Sequence, residues 1–168
     1  NQSYLSTFNG SLDGWVQQAG TFSVANNYLI NTIGVQGVLR KDTANDDFQM
    51  KFSYRDSSPT SGPTLLVRFR SVDANNFTTL TLVRGSYSIV ERRAGTNVTL
   101  AFNSWSTTAD AWYDLTLIAD GSHIEMWRAP SGGAASRVCM ADTGTILFGS
   151  KTYLITSASG IYSVDNFQ

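Results

Sequence analysis

Apolar and polar side chains alternate residue by residue through most of this chain, and each alternating run stops at a turn-forming sequence. Phe48, Met50, Phe52 and Tyr54 interleave with Gln49, Lys51, Ser53 and Arg55, a period of two that places one set on each face of an extended strand. No stretch of about 11 residues carries the i, i+3, i+4, i+7 spacing of an amphipathic helix. The chain is therefore expected to be all-β, with any helix no longer than a turn.

The punctuation between runs is equally regular. Asp56–Pro63 ends the first of these strands, and its Gly, Pro, Ser and Asp residues favour turns. Leu65–Arg70 follows, with Val67 and Phe69 facing opposite to Arg68 and Arg70, before the turn Ser71–Asn76. Phe77–Val83 connects through Arg84-Gly85-Ser86 to Tyr87–Arg92, and Ala94-Gly95-Thr96-Asn97 leads into Val98–Phe102, the pattern of a hairpin meander. Tyr113, Leu115 and Leu117 alternate with Asp114, Thr116 and Ile118, and Asp120-Gly121 turns the chain into Ile124–Arg128. The Gly-, Ala- and Ser-rich Ala129–Arg137 reads as a flexible loop. About a dozen short strands with such turns imply a sandwich or barrel. A length of 168 residues favours two packed antiparallel sheets in a jelly roll, one domain spanning 1–168.

Composition narrows the partners. Only 15% of residues are charged and the formal net charge is −1, so nothing in the balance points to a nucleic-acid backbone or an anionic membrane. No apolar run approaches the roughly 18 to 20 residues needed to cross a bilayer as a helix. The single cysteine, Cys139, has no internal disulfide partner and reads as a small buried hydrophobe. A first residue of Asn1 is read as the start of a module excised from a longer chain, with other domains of a parent as its partners.

Several segments, in order, resemble the concanavalin A-like lectin/glucanase superfamily, and within it laminin-G-like carbohydrate-binding modules. Phe8-Asn9-Gly10-Ser11-Leu12-Asp13-Gly14-Trp15 and Gly20-Thr21-Phe22-Ser23-Val24 are similar to the family's opening. DFQMKFSYR, GPTLLVRFRSVDANNFTTLTL and AWYDLTLIADGSHIEMWR are similar to its central strands, and Ser159–Phe167 to its closing "vDNf" strand. The resemblance implies a two-sheet jelly roll whose first and last strands share a sheet, bringing the chain ends together. It also implies that Trp15 and Trp112 are structural. A structural Ca2+ would be bound by hard oxygens, with Asn9, Asp13 and Asp165 as candidate ligands.

Fold does not supply activity. Glycoside hydrolysis uses two carboxyl groups about 5 to 10 Å apart, and the only two glutamates are Glu91 and Glu125, without the E-x-D-x-E strand motif of hydrolases on this fold. Alginate-type lyases of the fold use a histidine and a tyrosine, whereas the single histidine, His123, falls in a turn. No G-x-S-x-G elbow and no Cys/His scheme is evident. The expected function is a non-catalytic carbohydrate-binding module, secreted or at the cell surface, that holds an attached enzyme or surface protein on a polysaccharide or oligosaccharide. A hydrolase or lyase, and a laminin-G-like protein-binding adhesion module, are the alternatives.

A glycan site combines aromatic faces with planar polar side chains that hydrogen-bond hydroxyls in pairs. If Val67, Phe69, Leu115, Leu117, Ile124 and Met126 face the core, then alternation puts Arg68, Arg70, Asp114, Glu125 and Trp127 on one opposite face. That face, with Trp105 from the adjoining polar segment Asn103–Thr108, is the expected ligand site. Loops around Trp105 or Asn75 are the other place a ligand could sit.

Overall fold

The computed structural model describes residues 6–31, 34, 36–42, 47–144 and 147–167, none of them helical. Fourteen strands, numbered in chain order, form two seven-stranded sheets. The first runs, in spatial order, β1 (Val16–Ala19), β4 (Gly37–Asp42), β13 (Lys151–Thr156), β6 (Thr64–Asp73), β7 (Asn76–Val83), β8 (Ser86–Arg93) and β9 (Thr96–Ser104). The second runs β12 (Ser136–Asp142), β11 (His123–Pro130), β10 (Trp112–Asp120), β5 (Phe48–Asp56), β14 (Tyr162–Asp165), β3 (Tyr28–Asn31) and β2 (Phe22–Ala25). Every pairing is antiparallel. The all-β, two-sheet jelly roll read from the alternation is the architecture observed.

Alternation builds the core. Leu39, Leu154, Val67, Leu80 and Ile89 point inward from the first sheet, and Met50, Phe52, Leu115, Leu117, Ile124 and Met126 from the second; all are buried in one shared cluster. At about 25 cal/mol per Å2 of apolar surface removed from water, such burial is the main force holding the sheets face to face. The hairpin between β8 and β9 turns on Ala94 and Gly95, both at positive φ (46° and 84°), the two-residue geometry whose twist matches the flanking strands. The loop expected over 129–137 is shorter than that, since β11 continues to Pro130 and β12 begins at Ser136.

The ends of the described chain meet, but not because the first and last strands share a sheet: β1 lies in the first and β14 in the second. Instead Ser6 and Phe167 exchange two backbone hydrogen bonds, of 2.7 and 3.0 Å, outside the strands. Trp15 seals that junction from the core, donating its indole N–H to Ser6 Oγ at 3.0 Å and meeting the Phe167 ring edge-on at 5.0 Å.

β6 does not keep its alternation to the end. Arg70 adopts φ 48° and the β6–β7 register shifts between Phe69 and Asp73, a bulge that re-aims the side chain. The guanidinium expected on the solvent side is buried, with Nη2 donating to Asp47 Oδ1 at 3.2 Å.

Candidate functional site

Register fixes which side chains share the outer face of the first sheet, the face turned away from the second. Arg40 on β4 stands opposite Tyr153 on β13, Tyr153 opposite Arg68 on β6, Arg68 opposite Thr79 on β7, and Thr79 opposite Val90 on β8. Their sequence neighbours Leu39, Leu154, Val67, Leu80 and Ile89 are core residues, so the row itself points outward. Phe77, two residues before Thr79 on the same face, stands opposite Arg92 of β8.

Arg68 is the centre of this face. Its guanidinium carbon sits 3.8 Å from the centroid of the Phe77 ring and 5.8 Å from that of Tyr153, close enough for the rings' negative faces to attract it. Phe77 and Thr79 are buried although they belong to an outer face, Phe77 beneath the Arg68 guanidinium. Arg68 Nε and Thr79 Oγ1 are shielded from solvent and make no hydrogen bond to a protein group. Burial lowers the Arg68 pKa from its ordinary value; nearby Tyr153 opposes that shift and the like charge of Arg92 adds to it. A desolvated donor without an acceptor is costly, about 1–3 kcal/mol; shielded as it is, this Nε is closed to a ligand as well, and the donors open to a hydroxyl or anionic oxygen are the Arg68 Nη groups.

The face expected from sequence does not exist as one surface, because its members belong to different sheets. Arg68 is on the first sheet and Arg70 is buried in its bulge, whereas Asp114, Glu125 and Trp127 belong to the second. There Asp114 accepts a 2.7 Å hydrogen bond from Ser53 Oγ. Glu125 is the hub of a small network: Trp127 Nε1 donates to one oxygen at 3.0 Å, while the other lies 3.2 Å from His123 Nε2 and 3.3 Å from Arg137. Those bonds hold the Glu125 carboxyl below the usual carboxylate range, the Trp127 donor contributing most. Trp105 is a lid over the edge of the core. Its ring packs on Tyr87 with centroids 5.0 Å apart, its N–H donates to the Val83 carbonyl at 3.0 Å, and Arg128 lies over its ring at 4.3 Å.

Alternation missed two groups. Arg40, Arg92 and Tyr153 join Arg68 only through strand order, which no local pattern encodes. On the outer face of the second sheet Arg55 lies between Tyr28 and Trp112, 5.1 and 5.2 Å from their ring centroids. Its Nη2 donates to both Tyr28 Oη and Ser163 Oγ at 3.2 Å. Trp112, expected to be structural, is partly exposed on this outer face.

Asp13 and Asp165, the acidic candidates for the calcium implied by resemblance, both hydrogen-bond within their own turns. Asp13 accepts from the Phe8 N–H at 2.7 Å and the Ser11 hydroxyl at 2.7 Å, and Asp165 from the Asn166 backbone and side-chain N–H groups at 2.7 and 3.1 Å. The Lys41 ammonium donates to the Asp13 carbonyl at 3.0 Å, and Asn9 is exposed. In these bonds Asp13 and Asp165 cap turns.

Glu91 and Glu125 do not flank a common cleft. Glu91 points inward from the first sheet, fully buried against Arg93, while Glu125 points outward from the second. His123 begins β11 with its Nδ1 3.1 Å from Asp142. Burial raises the pKa of the Cys139 thiol, which suits a packing residue rather than a nucleophile.

Neither protein-family models nor curated proteins match the chain; solved structures do. The chain is similar to the carbohydrate-binding module CBM66 from Bacillus subtilis (13% identity, TM-score 0.68, 92% of this chain and 93% of that one). It is similar to the Lotus tetragonolobus seed lectin over 99% of this chain and 96% of the lectin (11% identity, TM-score 0.72). It also superposes on a xylan β-1,4-xylosidase from Bacillus halodurans C-125 (11% identity, TM-score 0.75), covering 100% of this chain but 39% of that one. With its two seven-stranded antiparallel sheets closed over one core, the chain has the concanavalin A-like lectin/glucanase fold.

Proposed function

We propose that this protein is a non-catalytic carbohydrate-binding module, working outside the cell to hold an attached enzyme or surface protein on a glycan, with its site on the outer face of the first sheet. The observation that carries the reading is Arg68, half-buried between Phe77 and Tyr153 with its Nε–H directed at no protein acceptor. In this reading the Arg68 fork donates to vicinal oxygens. The Tyr153 ring covers a sugar C–H patch beside it. The carbohydrate-binding module and the lectin among the structural neighbours, each matched over nearly its full length, support it. So does the separation of Glu91 and Glu125, which puts the two glutamates on no common face.

The test is retention of the isolated protein on a panel of polysaccharides, with release of reducing ends and unsaturated products recorded alongside. Retention without product release is expected. Arg68→Ala and Tyr153→Ala, each with an unchanged melt, should weaken retention at least tenfold, or about 1.4 kcal/mol. Product release by the protein alone would make it a hydrolase or lyase, and no retention on any glycan would favour a protein-binding adhesion module.

A further inference from the structure

On the reading that this face binds a glycan, we infer that the glycan is anionic, its carboxylate or sulfate oxygens received between Arg68 and Arg92. The charge inventory of the face is one-sided. Arg40, Arg68 and Arg92 point outward from β4, β6 and β8, and Lys151 of β13 stands opposite Asp42. Among the described residues two carboxylates stand against them, both engaged. Asp42 pairs with Arg40 at 3.4 Å, and Asp73, at the rim, accepts from the Asn75 backbone at 2.7 Å and the Asn76 side chain at 3.0 Å. Glu91, next to Arg92 in sequence, points the other way into the core.

Among the described residues neither Arg68 nor Arg92 forms an ion pair or a hydrogen bond through its guanidinium, and the Nε of each is shielded from solvent. Two guanidinium groups near enough to repel, partly desolvated and facing no carboxylate, are unfavourable alone and favourable around an anion. Like charges in a low dielectric raise each other's energy, and an opposite charge between them reverses the sign. With the Nε edges shielded, the Nη groups of the two arginines are the donors, and their N–H groups make strong charge-assisted hydrogen bonds to carboxylate or sulfate oxygens. A neutral sugar would satisfy the donors but leave the repulsion in place. The chain's overall charge of −1 means that attraction to a polyanion must come from this face and not from bulk charge.

Affinity gel electrophoresis separates the possibilities. The probes are polygalacturonate, which carries carboxylates, and carrageenan, which carries sulfate esters, each run beside its neutral form made by carboxyl reduction or desulfation. Retardation by at least one anionic polymer is expected, at least tenfold weaker for its neutral form. It should also weaken at least tenfold in Arg92→Gln and stay unchanged in Arg137→Gln on the opposite sheet. Whichever polymer retards identifies the anion. Equal retardation by anionic and neutral forms, or an Arg92→Gln protein of unchanged melt that binds like the parent, would overturn this inference while leaving the glycan reading intact. No retardation by either anionic polymer would overturn this inference, and the glycan reading then stands or falls by the polysaccharide panel. The charged-against-neutral comparison uses the parent protein, so it stands even if Arg92→Gln fails to fold.

Discussion

Arg68 and Arg70 sit two residues apart on one strand, and alternation sends them to the same face; the backbone separates them. At Arg70 a left-handed φ of 48° within a bulge turns the side chain inward, where it is 2% exposed. Alternation is a reliable guide only while the strand stays regular, and the sequence SVDANN that carries the irregularity reads simply as a turn. Removing the buried Arg70 side chain should therefore act on stability. Arg70→Ala is expected to lower unfolding free energy by at least about 2 kcal/mol, as buried polar deletions do, in denaturant titration. A melt like that of the parent would contradict its burial. His123 offers a prediction in pH. Hydrogen bonds to Asp142 first, and then to Glu125, hold its pKa above the ordinary 6.5. The folded state thus binds the proton more tightly than the unfolded one, so the stabilisation is complete below about pH 6.5 and is lost as pH rises through the raised folded value. An NMR titration should place the imidazole midpoint above 6.5, and Asp142→Asn should lower it; a midpoint at or below the free value would contradict the pairing.

At the scale of elements, local signals were legible and long-range pairing was not. Glycine-bearing turns and alternating runs marked the β6–β9 meander and the β10–β11 hairpin, because a hairpin's partner is the next strand in sequence. The insertion of β13 between β4 and β6, and of β14 between β3 and β5, depends on contacts far apart in the chain. That insertion is what puts Tyr153 beside Arg68. The assignment of Arg68 and Trp127 to one face failed for the same reason: alternation says in or out, not which sheet. The junction just before β13 carries a close approach that can be tested. A Cβ at Gly149 would fall 2.4 Å from the Ser71 carbonyl carbon and 2.5 Å from that of Arg70, both main-chain atoms of the bulge that cannot step aside. Gly149→Ala should destabilise by about 1–3 kcal/mol through overpacking, read as a drop in the denaturant midpoint with unchanged slope; a neutral effect would mean that the bulge yields. At the opposite end of β6, Arg84 meets the buried Asp56 at 3.1 Å. Breaking such a pair from one side leaves a buried charge, so Asp56→Ala should cost about 3–5 kcal/mol.

For the molecule as a whole, two sheets joined by apolar inner faces leave two outer faces, which differ in how their charges are paired. On the second sheet Arg137 meets Glu125 and His123 meets Asp142, while Arg55 is held by Tyr28, Trp112 and Ser163. On the first, Arg68 and Arg92 answer no carboxylate among the described residues. If a structural calcium is resident at Asn9, Asp13 and Asp165, millimolar calcium should raise the melting temperature and chelator lower it by mass action; an unchanged melt would remove the ion. The central claim is that the first sheet's outer face is the ligand site. Backbone amide shifts recorded by NMR as an oligosaccharide of the retained polymer is added test it most directly. The largest shifts are predicted on Arg68, Phe77, Thr79, Arg92 and Tyr153. Shifts concentrated instead on Lys51, Thr116, Glu125 and Trp127, with the first sheet unmoved, would contradict it.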